Sequence, residues 1–201
     1  MKEKTALSEV VRMLEMAFDI LNDKYFEGTL SKSVITVQST PKAYGYFTCG
    51  KVWNLSKNEN AYEINLGAET LNREIEDTVA TLIHEMVHQF CAENEIKDVS
   101  RGNTYHNKRF KEQAEKRGLI ITYADKIGWS VTKPTEELIE FVKGNELFQK
   151  IALSRTTVEK EKTKKKSSTR KYECPDCEIS VRATKEVKII CEECGQRMVC
   201  C

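Results

Sequence analysis

The stretch Thr78–Phe90, T-V-A-T-L-I-H-E-M-V-H-Q-F, constrains this chain more than any other. Val79, Leu82, Ile83, Met86, Val87 and Phe90 make it apolar nearly all round, so it reads as a buried helix. Inside it sits His84-Glu85-Met86-Val87-His88, an HExxH pattern. At 3.6 residues per turn the two histidines share a face, roughly 6 Å apart along the axis, and both can turn a nitrogen to one metal ion. Glu85 is rotated about 100° from His84, near enough to reach a water at that ion without being a ligand. The chemistry this points to is metal-assisted peptide hydrolysis.

A five-residue pattern also occurs by chance, for example on a surface helix with two solvated histidines. Burial argues against that, because unpaired imidazoles and a carboxylate are costly in an apolar helix. The chain has three histidines in all, and the third, His106, follows His88 by 18 residues. Tyr105–Arg117 reads as a helix closed by Gly118, with His106, Phe110 and Ala114 at four-residue steps on its inward face. His106 is therefore the leading candidate for a third ligand, with Glu112 and Glu115 as competitors and a hydrogen-bonded core histidine as the plain alternative. The compact metzincin spacing is absent, since position 91 is Cys and position 94 is Asn.

The remaining residues set the frame. A chain of 201 residues can bury one sizeable core plus a small appendage. No run of about 18 apolar residues is present and the N-terminus has no signal-peptide core, so the expectation is a cytoplasmic protein without membrane contact. Eight cysteines in that compartment imply metal binding rather than disulfides. The net charge of +1 conceals a concentration of charge in Arg155–Lys171, which holds eight basic and two acidic residues.

In chain order, residues 5–27 read as an amphipathic helix stopped by Gly28, and 32–39 as a strand broken by Pro41. Ala43–Asn54 gives one or two bent strands and Tyr62–Leu66 another, before the HExxH helix starts near residues 74–78. Residues 94–104 read as a loop, Leu119–Trp129 as a closing segment with a short strand, and Pro134 and Thr135 start a helix ended by Gly144. Cys49 and Cys91 are expected to be small buried hydrophobes.

The basic stretch 154–171 has too few apolar groups to fold alone and reads as a flexible linker, either a soluble tether or an arm along nucleic-acid phosphates. Beyond it, Cys174-Pro-Asp-Cys177 and Cys191-Glu-Glu-Cys194 are two C-x-x-C knuckles. Cys174, Cys177, Cys191 and Cys194 form the four-thiolate set of a zinc ribbon, a closed structural site, with a hairpin expected from S-V-R-A-T-K and V-K-I-I between the knuckles. Redox chemistry is the minor alternative. Cys200 and Cys201 are surplus. The ribbon carries four basic and six acidic residues, so any DNA contact would rest on a face with Arg182, Lys185, Lys188 and Arg197.

The order of parts resembles the SprT-like metalloprotease family, to which the eukaryotic DNA–protein crosslink protease Spartan belongs. The resemblance is carried by N-D-K-Y-F-E-G-T-L at 22–30, T-L-I-H-E-M-V-H at 81–88, Y-H-N-K-R-F at 105–110 and the C-terminal cysteine pairs. It implies an α+β fold: a zincin-like metalloprotease domain of helices packed on a small sheet (1–153), the basic linker (154–171) and a β zinc ribbon (172–201). It further implies one catalytic zinc on His84, His88 and His106, one structural zinc on the four cysteines, and Glu85 as general base. The implied substrates are proteins bound or crosslinked to DNA; the expected DNA contact, through the basic linker and ribbon, rests on their own residues. Tyr105 or Tyr123 is a candidate to stabilise the oxyanion. The alternative of a different class is a nucleic-acid-binding or adaptor protein whose HExxH metal site is structural or inactive.

Overall fold

The structure is a computed structural model that describes residues 6–40, 43–151, 155 and 169–201. Contacts divide the chain into two compact units, Met1–Thr157 and Val158–Cys201. Pro41 and most of the basic linker lie outside the described residues.

The first unit runs α1 (Leu7–Phe26), β1 (Val34–Gln38), β2 (Gly45–Phe47), β3 (Trp53–Ser56), β4 (Glu59–Ala61), β5 (Glu63–Gly67) and a 3-10 turn (Ala68–Thr70). It continues with α2 (Ile75–Glu93), β6 (Val99–Ser100), β7 (Tyr105–His106), α3 (Lys108–Glu115), β8 (Leu119–Ala124), β9 (Gly128–Pro134), α4 (Glu136–Lys143) and α5 (Glu146–Gln149). The architecture is α+β. One three-stranded sheet has the order β1-β5-β2, with β1 parallel and β2 antiparallel to β5; a four-stranded sheet has the order β6-β7-β9-β8.

The apolar helix expected over 78–90 is α2, and it is the centre of the core. Val79, Leu82, Ile83, Met86, Val87 and Cys91 are each at most 2% exposed and pack with Val10, Leu14, Phe18 and Leu21 of α1, Ile64 and Leu66 of β5, and Leu138 and Val142 of α4. Removing so much apolar surface from water is the main stabilising term for the unit. The 22–30 motif has a local reason. Asn22 is buried and its amide both donates to the Leu30 carbonyl (3.1 Å) and accepts from the Leu30 amide (3.2 Å), while the chain reverses through left-handed Glu27 (φ 58°) and Gly28 (φ 67°).

Several boundaries differ from the sequence expectation. His106 is on strand β7 and not on the following helix. Asn107 ends the strand and caps α3, its side-chain oxygen accepting from the amides of Arg109 (2.8 Å) and Phe110 (3.3 Å). Asn is among the best capping residues, worth about 1 kcal/mol, and outweighs the helical spacing of residue 106. The segment from Leu119 is a full hairpin of β8 and β9 reaching Pro134, and the helix expected to start at Pro134 and Thr135 is α4, capped by Thr135. The 94–104 loop contains strand β6, paired with β7. Cys91 is buried as expected. Cys49 is exposed, because it lies in the turn after β2, where it accepts from Asn103 Nδ2 at 3.2 Å.

The second unit contains β10 (Arg170–Glu173), β11 (Ser180–Ala183) and β12 (Val199–Cys200) in the order β11-β10-β12. The hairpin is not between the knuckles. Each knuckle is itself the turn: the Cys174 amide donates to the Ile179 carbonyl (2.9 Å) and the Cys191 amide to the Gln196 carbonyl (2.8 Å). Among the described residues the buried cluster holds Tyr172, Cys174, Cys191 and Met198. So small a core needs a cross-link or metal to stay folded.

Candidate metal centre

Two clusters of potential metal ligands occur among the described residues: His84, His88 and His106, and the four knuckle cysteines. The first is assembled from two elements. α2 supplies His84 and His88 one turn apart. β7 supplies His106, held through its amide to the Ile127 carbonyl (3.0 Å) and paired with Gly128 of β9. Gly128 has φ 74°, and a Cβ there would stand 2.2 Å from the His106 carbonyl oxygen, so only glycine lets β9 approach this closely. Phe110, fully buried, lies against all three imidazoles with ring-centroid distances of 4.5, 4.6 and 4.7 Å. It fills the space behind the rings and limits their tilt.

Hydrogen bonds fix which ring nitrogens carry protons. His88 Nδ1 faces the Asp98 carboxylate at 2.5 Å, and His106 Nδ1 faces the Ile127 carbonyl at 3.3 Å; both partners can only accept. His84 Nδ1 is 2.7 Å from the Thr132 hydroxyl, which itself donates to the Ser130 carbonyl. All three histidines are thus Nδ1–H tautomers, and their Nε2 lone pairs converge, separated by 3.2, 3.3 and 3.0 Å. Three acceptors pointed at one another repel unless a cation lies among them. Tetrahedral angles and zinc–nitrogen distances of ~2.0–2.1 Å would separate such ligands by roughly 3.3 Å. Burial, aided by the neighbouring imidazoles, holds His84 well below its ordinary pKa, and burial, aided by His88, holds His106 down at about 4. Neutral imidazole is the metal-binding form, so the donor set fits zinc.

Glu85 is next to this cluster and 6% exposed. Burial pushes its carboxyl up to about 7, opposed in part by His88; a bound dication would favour the charged form. The imidazoles and Glu85 line a cavity of about 900 Å³, with Gly45, Thr81, Arg73 and Asn103 among its other walls. Gly45 of β2 leaves Glu85 open to it: a Cβ there would meet the Asn65 carbonyl oxygen at 2.7 Å and Glu85 Oε1 at 3.2 Å. Among the described residues β2 pairs only with β5, so its outer edge is available to an extended chain.

The other candidates sort by direction. Glu112 and Glu115 point away from the cluster and pair with Lys116 (3.0 Å) and Lys111 (3.7 Å). Tyr105 and Tyr123 bring their hydroxyls within 3.5 Å of one another and are not among the cavity's walls, because side chains alternate along β7 and an inward His106 leaves Tyr105 outward. The tyrosines that do line the cavity are Tyr44 and Tyr46. Asp98, Thr132, Gly128 and Gly45 were not singled out from sequence. The available signal for Asp98 was weak, a lone acid in a polar loop ten residues beyond His88.

In the second cluster the four thiols lie within 4.8 Å of one another, with Cys177 and Cys191 Sγ 3.5 Å apart. The backbone amides of Cys177 and Asp176 hold the Cys174 thiol down at about 7, towards the thiolate that binds metal. Cys200 and Cys201 are exposed and outside this cluster.

Fold and site together define an α+β protein with a three-histidine cluster able to hold a metal ion, two of its ligands on an HExxH helix and the third on β7, and a separate four-cysteine cluster. Residues 14–125 match the SprT-like family, over more than half of the chain, and the protein belongs to that family. No curated protein and no solved structure matches it. Among the described residues no helix is long and apolar enough to cross a membrane.

Proposed function

We propose that this protein is a zinc-dependent endopeptidase of the cytoplasm that cleaves proteins associated with or crosslinked to DNA. The observation that carries the reading is the convergence of three Nε2 lone pairs beside the buried Glu85 at the wall of a cavity. In this reading His84, His88 and His106 hold a catalytic zinc, and Cys174, Cys177, Cys191 and Cys194 hold a structural one. Zinc in the first site supplies Lewis-acid polarisation and makes water more acidic. Glu85 takes the proton of the attacking water and passes it to the departing amine. Asp98, Thr132 and the Ile127 carbonyl keep the imidazoles in the Nδ1–H tautomer with Nε2 facing inward. The free edge of β2 holds the substrate extended above Glu85, and Gly45 keeps the space between them clear.

The chain divides functionally into the protease domain (1–153), the linker (154–171) and the ribbon (172–201), the last two supplying the DNA contact. The eight basic residues of Arg155–Lys171 support this, since such a segment releases counterions when it lies along phosphates. The test is cleavage of a DNA-binding protein by the zinc-loaded wild type and by Glu85→Gln, with and without DNA. Cleavage by wild type alone and only with DNA is the expected result. DNA-independent cleavage removes the DNA role, and no cleavage by the zinc-loaded chain removes the enzyme in favour of a binding module.

A further inference from the structure

Among the walls of the cavity is a guanidinium, that of Arg73, which the mechanism above does not use. Arg73 lies between the 68–70 turn and α2, and its guanidinium is held from three directions. Nε donates to the Thr70 carbonyl at 2.9 Å, Nη2 donates to Thr81 Oγ1 at 2.9 Å, and the Tyr44 ring covers one face at 4.0 Å. The Thr81 hydroxyl donates in turn to the Asp77 carbonyl (3.0 Å), which leaves it an acceptor for Arg73. These contacts set the plane of the guanidinium and engage two of its five N–H groups. Asp77 acts on Arg73 through its charge, but among the described residues Arg73 forms no ion pair. A half-buried guanidinium, locked in place with N–H groups to spare, is a preformed receptor for a carboxylate.

Its place relative to Glu85 follows from Gly45. A Cβ built there would meet Glu85 Oε1 and Thr81 Cγ2, each at 3.2 Å, so both side chains touch the same point of β2. Thr81 is four residues before Glu85, one turn or about 6 Å along α2, and Arg73 is bonded to it. An extended chain advances ~3.3 Å per residue. The guanidinium therefore addresses a side chain some two or three residues from the bond at Glu85.

We propose that Arg73 forms a carboxylate-recognising subsite, selecting protein substrates that carry Asp or Glu two or three residues to one side of the cleaved bond. The proposal rests on the proteolytic reading for its consequence, but the subsite is a binding property and is measured as one. Fluorescently labelled peptides carrying Glu, Gln or Lys at each successive position are titrated onto the zinc-loaded full chain with Glu85→Gln, and the same set is offered to wild type for cleavage. One position is expected to favour Glu over Gln by ~10–100-fold in affinity, as for a hydrogen bond to a charged group. Arg73→Gln in that background brings the ratio near one, Arg73→Lys keeps part of it, and Arg73→Glu turns the preference towards Lys. Melting curves of each variant accompany the titrations, and the lysine variant carries the test if the others do not fold. Equal binding of Glu and Gln at every position, or a preference that survives Arg73→Gln, overturns the subsite. Glutamate-selective binding by a protein that cleaves nothing keeps the subsite and overturns the protease; cleavage without acidic preference does the reverse.

Discussion

The two ligand clusters solve the same problem, gathering donors around a point, by opposite means. The histidine cluster draws on α2 and β7, and its orientation is imposed by a wide hydrophobic core, by Phe110 behind the rings, and by Asp98, Thr132 and the Ile127 carbonyl. The cysteine cluster draws on two tight turns, each organised by its own backbone amides, over four buried side chains. A core of the first size can hold donors in place before any metal arrives. One of the second size relies on the metal for its fold. The difference teaches where a metal can be spent on chemistry: only a site that the protein preorganises can leave part of the ion's surroundings to a substrate.

Metal removal should break the comparison most visibly. Structural zinc contributes roughly 10–16 kcal/mol in small zinc-binding peptides. A strong chelator is therefore expected to abolish the amide dispersion of residues 170–201 in NMR spectra, while amides of α2 stay protected from exchange. Simultaneous loss of both units would erase the distinction. Next in size, Glu85→Gln is expected to lower peptide cleavage by about 10²–10⁴-fold, with metal content and melting temperature unchanged; an unchanged rate defeats the proposed mechanism. Phe110→Ala removes a fully buried ring and should destabilise the first unit by ~3–5 kcal/mol, read by denaturant unfolding, with the ribbon's chelation behaviour untouched. Asp98→Ala leaves His88 Nδ1 without its carboxylate. It should weaken metal at the histidine site by about 10–100-fold in competition with a chromogenic chelator, and leave the cysteine site at its original affinity.

How much of this was legible beforehand varies residue by residue. α2 was, because six apolar residues between Val79 and Phe90 leave no polar face for solvent. The ribbon's four cysteines were, because a C-x-x-C turn is a local object. The helix after His106 was legible but its start was not, because the four-residue spacing of His106, Phe110 and Ala114 does not reveal that Asn107 caps α3 and leaves Tyr105 and His106 in a strand. The hairpin within the ribbon was displaced for a similar reason: V-K-I-I has strand-like composition, but the knuckle turns decide which segments face one another.

The sequence by itself determined the identities that local chemistry demands: two histidines one turn apart, a glutamate between them and two cysteine turns. Spacing of a few residues is enough for these, because bond geometry alone carries one side chain to the next. Only the tertiary structure decided that Thr132, Asp98 and Ile127 set the tautomers, that Gly128 lets β9 reach His106, and that Arg73 lines the same cavity as Glu85. Each of those is a contact between segments brought together by burial of the core, and burial acts on the whole chain at once.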